Sequence, residues 1–234
     1  DDPDCTVNAG RMGVNDEKAV KFFHKVEGSV RFKSVDAALE VSGGMPSAIT
    51  PEKNIAVYRN GVYETNGDAI LAATVSLLGN FYTPSLRSTV TETLRGLLIL
   101  EDRFLPEYQK LPLLNTPSCM VDLRTGGELP HDPAYMSTSQ VSVHPDASMA
   151  TPVYDAWIRQ ALRQPGHTDA DVERLLADLE EVSGTMLDPS RAPEKILFLF
   201  GPTRSGKSLY LGLLETVAGE SNSSAVTLHD LVNN

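Results

Sequence analysis

The chain has 234 residues, 41% hydrophobic and 22% charged, an ordinary balance that excludes wholesale disorder and collagen-like repeats. Two cysteines, Cys5 and Cys119, cannot build a disulfide framework, no Cys/His spacing resembles a zinc site, and no apolar run approaches the ~18 residues of a membrane span. The net charge of −11 divides as 12 Lys and Arg against 15 Asp and Glu over residues 1–110 and 8 against 16 over 111–234, so no basic face of the kind that draws nucleic acid is visible.

No charged-then-apolar leader opens the sequence, so a reducing, cytoplasmic setting without membrane association is expected. The chain opens at Asp1 and closes at Asn234 just after a helix-like segment, and we expect a piece of a longer protein.

In chain order, residues 16–25 and 33–40 have helical character, and 42–51, with two glycines and two prolines, reads as a loop. Residues 1–54 otherwise carry no assignment. Residues 55–64 read as a hairpin, because Val57 and Val62 flank Asn60-Gly61, a pair that tolerates the positive φ of a tight turn. Two core-facing helices follow. Residues 68–78 place Ile70, Leu71, Thr74, Val75 and Leu78 on one face, and 85–100 place Leu86, Val90, Leu94, Leu97 and Leu98 at helical spacing. From Leu111 the texture shifts to short strands, with a hairpin over 120–129 and turns at Asp132-Pro133 and His144-Pro145-Asp146. A helix is predicted from near Pro152 with Val153, Trp157, Ile158 and Ala161 inward. Thr168-Asp169-Ala170-Asp171 starts another, leading into Val172, Leu175, Leu176, Leu179 and Val182, with Gly184 placed to end it.

One segment carries chemistry. Gly201-Pro202-Thr203-Arg204-Ser205-Gly206-Lys207-Ser208 fits G-x-x-x-x-G-K-[ST], the phosphate-binding loop. Gly201 and Gly206 permit backbone angles and close approach that a Cβ would block. The amides from Thr203 to Ser208 would surround a β-phosphate at the N-terminus of the next helix. Lys207 would bridge the β- and γ-phosphates of ATP, and Ser208 would give a hydroxyl to Mg²⁺. Five apolar residues before the loop, 196–200 after Lys195, predict a buried parallel strand. Leu209, Leu211, Leu213, Leu214 and Val217 support a helix after it.

The other candidates favour unexceptional roles. Cys119 lies in a hairpin without a nearby His and reads as a small core residue rather than a nucleophile. The five histidines show no i, i+4 ligand pair, which argues against a metal. Asp178, Glu180 and Glu181 read as a solvated helix face, Trp157 as a packed residue, and Arg204 as exposed. Hydrolysis needs an acidic residue at the end of a second apolar strand. Only 26 residues follow the loop, and the short, polar 225–228 stretch ending in His229-Asp230 is a poor candidate. The chain by itself is therefore expected to bind nucleotide weakly or not at all and not to hydrolyse it.

Residues 111–234, and more loosely from Ile55, resemble the phage/plasmid-type (poxvirus-like) primase–helicases. The resemblance rests on Leu113-Leu114-Asn115, on Val121-Asp122-Leu123-Arg124-Thr125-Gly126 with Glu128-Leu129, and on His131-Asp132-Pro133 with Ser137-Thr138. It continues through Val143-His144-Pro145-Asp146-Ala147 and Trp157 to the loop, and Tyr58-Arg59-Asn60-Gly61-Val62-Tyr63 resembles the upstream segment. It departs where the family reads Asn-Gly before a Val-Leu-Asp-Leu-like strand, since here Asn115 is followed by Thr116-Pro117-Ser118-Cys119. The resemblance implies an α+β pre-helicase region over 55–190. It also implies the start of an α/β P-loop NTPase domain, of superfamily 3 and AAA+ type, over 191–234. An ATP-dependent DNA helicase of phage or plasmid replication would follow, with ATP and Mg²⁺ as cofactors, DNA as partner and a homo-oligomeric, hexameric ring as its assembly. No primase signature is present. A small-molecule kinase with an added N-terminal domain, or an interaction module with a remnant loop, are the alternatives.

Overall fold

Two tight turns set the N-terminal architecture. Glu27 and Gly28, at φ of 50° and 84°, join β1 (Phe23–Val26) to β2 (Ser29–Phe32), and Asn60 and Gly61, at 49° and 90°, join β4 (Ile55–Arg59) to β5 (Val62–Glu64). Two successive positive φ values match the twist of paired strands, and glycine takes the second without steric cost. The computed structural model describes residues 18–146, 148–190, 196–227 and 229–230. Among these the chain divides into two compact units, within Asp1–Arg59 with Tyr63–Glu107 and within Asn60–Val62 with Tyr108–Asn234. The changes of sequence pattern at 54/55 and 190/191 both fall inside a unit.

In the first unit, α1 (Ser34–Gly43), α2 (Gly67–Leu78) and α3 (Pro84–Leu100) pack with a three-stranded sheet of order β3-β4-β5, where β3 is Ser47–Ile49. Asn66 caps α2 by accepting from the amides of Asp68 and Ala69, and Thr83 caps α3 by accepting from Leu86. The core joins Ala37, Ala38 and Val41 of α1 to Ile49, Val57, Ile70, Leu78, Val90, Leu94 and Leu98.

Three expectations change here. Residues 23–26 are a strand, not the end of a helix over 16–25, because the Glu27-Gly28 turn folds them onto 29–32; Asp16 and Glu17 lie outside the described residues. Residues 47–49 pair with 55–57 inside the expected loop, and all three are buried, so their neighbours outweigh the local glycines and prolines. The buried face of α2 carries Ala69, Ile70, Thr74 and Leu78, while Val75 is exposed. Thr74 is tolerated inside because its hydroxyl donates to the Ile70 carbonyl at 2.7 Å.

In the second unit β6 (Leu113–Asn115), β7 (Met120–Asp122) and β8 (Glu128–Leu129) form an antiparallel sheet in that order. Helices α4 (Pro152–Leu162), α5 (Asp169–Leu187) and α6 (Lys207–Ala218) follow. Thr168 and Asp171 form a reciprocal capping box at the start of α5. The hydrogen bonds from Thr168 hold the Asp171 carboxyl below its ordinary value, so this support is complete at neutral pH and is lost as pH falls through that lowered value. Gly184 does not end α5, which runs to Leu187 because that side chain packs against Leu114, Cys119 and Val121. On α4, Ile158 is buried and Trp157 and Ala161 half-buried, but Val153 is 83% exposed. Among the described residues no helix is long and apolar enough to cross a membrane.

Asn115, only 3% exposed, holds the sheet to its surroundings. Its Nδ2 donates to the Gly61 carbonyl at 2.9 Å and to Ser137 Oγ at 3.0 Å, and its Oδ1 accepts from Gln140 Nε2 at 3.1 Å. Asn115→Ala is expected to lower unfolding stability by about 2–4 kcal/mol, since buried partners are left unpaired. Denaturant titration checks this, and a loss under about 1 kcal/mol would show that water replaces the carboxamide.

Candidate functional site

The loop at 201–208 sits between an extended segment and a helix. Gly206, at φ 91°, ends the loop in a conformation that only glycine adopts freely, and Arg204 also lies in the left-handed region at 65°. Helix α6 begins at Lys207 with no side-chain cap, so its first amides have no side-chain acceptor. Lys207 Nζ folds back over the loop and donates to the carbonyls of Gly201 at 2.9 Å and Pro202 at 2.7 Å and to Ser205 Oγ at 3.0 Å. Pro202, Thr203, Arg204 and Ser208 are exposed, and Gly201, Ser205, Gly206 and Lys207 are half-buried. Uncapped amides beside an ammonium form a donor set suited to an anion.

The loop rests on α4. A Cβ at Gly206 would stand 3.1 Å from Trp157 Cζ2, and one at Gly201 would stand 3.3 Å from Ser205 Oγ. Trp157, packed near Tyr154 with ring centroids 6.0 Å apart, therefore lies against the turn that aims Lys207. Burial and the nearby Tyr210 push the Tyr154 phenol upward, keeping it neutral. Ile158 and Leu176 pack with Tyr210 of α6, whose hydroxyl is bonded to Ser183 of α5. Trp157, Leu162, Phe198, Pro202, Lys207 and Tyr210 border a recess of about 810 Å³.

The expected buried strand is not formed. Leu197 and Leu199 pack on the α4–α5–α6 cluster, whereas Ile196, Phe198 and Phe200 are 80%, 80% and 100% exposed. A parallel strand gains hydrogen bonds only from crossover neighbours, and among the described residues none pairs with 196–200. Lys195 lies outside the described residues. Residues 225–227 are likewise not a strand; Leu228 lies outside the described residues, and Asp230 accepts from the Thr227 amide and hydroxyl as a helix-start contact. Asp178, Glu180, Glu181 and Arg204 are exposed, as expected.

Sequence reasoning places Cys119 away from any histidine, and the fold corrects this. Cys119 Sγ lies 3.7 Å from His144 Nδ1, and His144 Nε2 lies 3.3 Å from Glu128 Oε1. The 25 residues separating Cys119 from His144 hid the pair, because the distance is closed by the return segment whose Val141 amide donates to the Asn115 carbonyl. No local motif signals it.

Residues 77–163 match the family described as D5 N terminal like, the N-terminal region of phage and viral primase–helicase proteins. The match runs from the end of α2 through α3, the β6–β8 sheet and α4, and stops before the loop at 201–208. No curated protein matches the chain.

Gly206→Ala is expected to cost about 1–2 kcal/mol from its positive φ alone. It should also shift the emission of Trp157, the sole tryptophan, because the added methyl meets the indole. Unchanged emission and stability would mean that the turn relaxes away from Trp157.

Proposed function

We propose that the chain belongs to the ATP-dependent DNA helicase of a phage or plasmid replication system, contributing the pre-helicase region and the first nucleotide-binding loop. The match at 77–163 supports the primase–helicase connection, and the observation that carries the nucleotide reading is Lys207 Nζ poised over a glycine-ended loop at an uncapped helix start. The residues fit a nucleoside triphosphate. The amides of 203–208 would hold phosphate, Lys207 would neutralise its charge, and Ser208, exposed at the helix start, would hold Mg²⁺. Bound Mg²⁺ would supply charge neutralisation between the phosphates. Lys207 must exchange its bonds to the Gly201 and Pro202 carbonyls for phosphate oxygens, so affinity is reduced by the strength of those internal bonds.

Completion of the site requires an acidic residue to order water and an arginine from a neighbouring subunit, consistent with a hexameric ring. DNA contacts would then lie on other parts of the intact protein, in keeping with the acidity of residues 111–234.

Trp157 offers the test. Titrating residues 1–234 with Mg·ATP is expected to change its emission saturably in the millimolar range without phosphate release. Lys207→Ala should weaken the response at least about tenfold, the scale of one charge-assisted contact. A saturable response that Lys207→Ala leaves undiminished would overturn the phosphate-loop reading, and Lys207-dependent ATP turnover would overturn the incompleteness of the site. For the whole protein, ATP-dependent unwinding of a forked duplex that requires Lys207 is the expected result.

A further inference from the structure

We propose that Cys119, Glu128 and His144 form a binding site for a zinc-class divalent cation, separate from the loop at 201–208. Strand register brings the first two together. Val121 pairs with Glu128 across β7 and β8, so their side chains share a sheet face, and Cys119 lies two residues before Val121 on that same face. His144 arrives from the segment after the sheet, which is pinned where the Val141 amide donates to the Asn115 carbonyl at 2.9 Å. Cys119 is fixed by its own turn: its carbonyl accepts from the Thr116 hydroxyl at 2.8 Å, and its amide donates to that hydroxyl at 3.2 Å.

One donor atom from each residue, a sulfur, a ring nitrogen and a carboxylate oxygen, lies within 4.8 Å of the other two. Zinc bonds of about 2.3 Å to sulfur and 2.0–2.1 Å to nitrogen give a tetrahedral edge of about 3.6 Å. The 3.7 Å between Cys119 Sγ and His144 Nδ1 already matches that edge. Glu128, with 63% of its side chain exposed, is free to close the third position by rotation. Water would complete the fourth. The donor set is selective, since a thiolate disfavours magnesium and calcium while thiolate, imidazole and carboxylate together suit zinc. Binding converts the Cys119 thiol to thiolate and releases its proton to solvent.

The same three residues also have the order of nucleophile, base and orienting acid. One observation favours the metal: Cys119 is only 8% exposed, which leaves little approach for a substrate carbonyl.

Cobalt(II) is the probe. Untagged protein of residues 1–234 carrying Cys5→Ser, so that Cys119 is the sole thiol, is titrated anaerobically with cobalt(II) chloride. One equivalent should produce a near-ultraviolet thiolate-to-cobalt charge-transfer band that zinc chloride abolishes. Cys119→Ser should remove the band while leaving the far-ultraviolet circular dichroism unchanged. His144→Gln and Glu128→Gln, both at exposed or half-exposed positions, should each weaken cobalt binding at least about tenfold. Absence of the band, or a band indifferent to His144→Gln, would overturn the proposal. So would iodoacetamide alkylation of Cys119 that depends on His144 while cobalt fails to bind, which would assign the cluster to an activated thiol.

Discussion

A buried carboxamide can be accommodated only if its hydrogen-bonding groups find partners, and a side chain that finds three holds three pieces of chain in one arrangement. Asn115 does this. It binds the Gly61 carbonyl at the tip of a hairpin, Ser137 and Gln140, while its own carbonyl accepts from Val141. From there the order propagates along the chain. Ser142 N donates to the Val217 carbonyl at 3.1 Å and Asn222 Nδ2 to the Gln140 carbonyl at 2.8 Å, fastening the same segment to the end of α6. Two residues beyond Ser142 is His144. The position of the imidazole beside Cys119 and the seating of the helix that carries Lys207 thus share one anchor.

Gly61 shows why that anchor tolerates little change. A Cβ there would stand 3.0 Å from the His131 ring and 3.1 Å from Gln140 Nε2. Its φ of 90° is also one that other residues adopt only with strain. The Asn-Gly pair serves two ends at once: it makes the turn, and it lets the Gly61 carbonyl approach Asn115. His131 closes the arrangement by bonding through Nε2 to the Thr116 carbonyl at 2.9 Å. Exposed ion pairs such as Arg159 with Glu173 join α4 to α5 but add little beside these buried contacts.

Much of this was legible in the sequence where a local rule governs. The Asn60-Gly61 turn, the helix start at Thr168 and the apolar spacing of α3 each act within a few residues, so pattern and structure coincide. The glycine-ended loop before α6 was legible for the same reason. What escaped depends on distant partners. Residues 47–49 read as loop because glycines and prolines flank them, whereas the Ile49 backbone is bonded to Arg103 and Leu105, far along the chain. Gly184 looked like a helix end because the packing of Leu187 is invisible locally. The approach of Cys119, Glu128 and His144 needed strand register and an anchored return segment.

Residues 196–200 mark the opposite case, a plainly apolar run whose expected strand does not form. Every second side chain, Leu197 and Leu199, does pack. The alternate set, Ile196, Phe198 and Phe200, faces outward. A segment apolar on both faces is stable against water only when both are covered, and α4, α5 and α6 cover one. The loop that follows inherits this half-built support from its N-terminal side, while its C-terminal side is held by Trp157 beneath Gly206 and by Tyr210 among the helices. Lys207 accordingly donates its hydrogen bonds to the loop's own carbonyls. An ammonium satisfied in this way gains less from an incoming phosphate than one held free by surrounding structure, because the internal bonds must first be broken. Weak nucleotide affinity in this chain would therefore follow from the support of the loop, with every fixed position of the G-x-x-x-x-G-K-[ST] pattern filled.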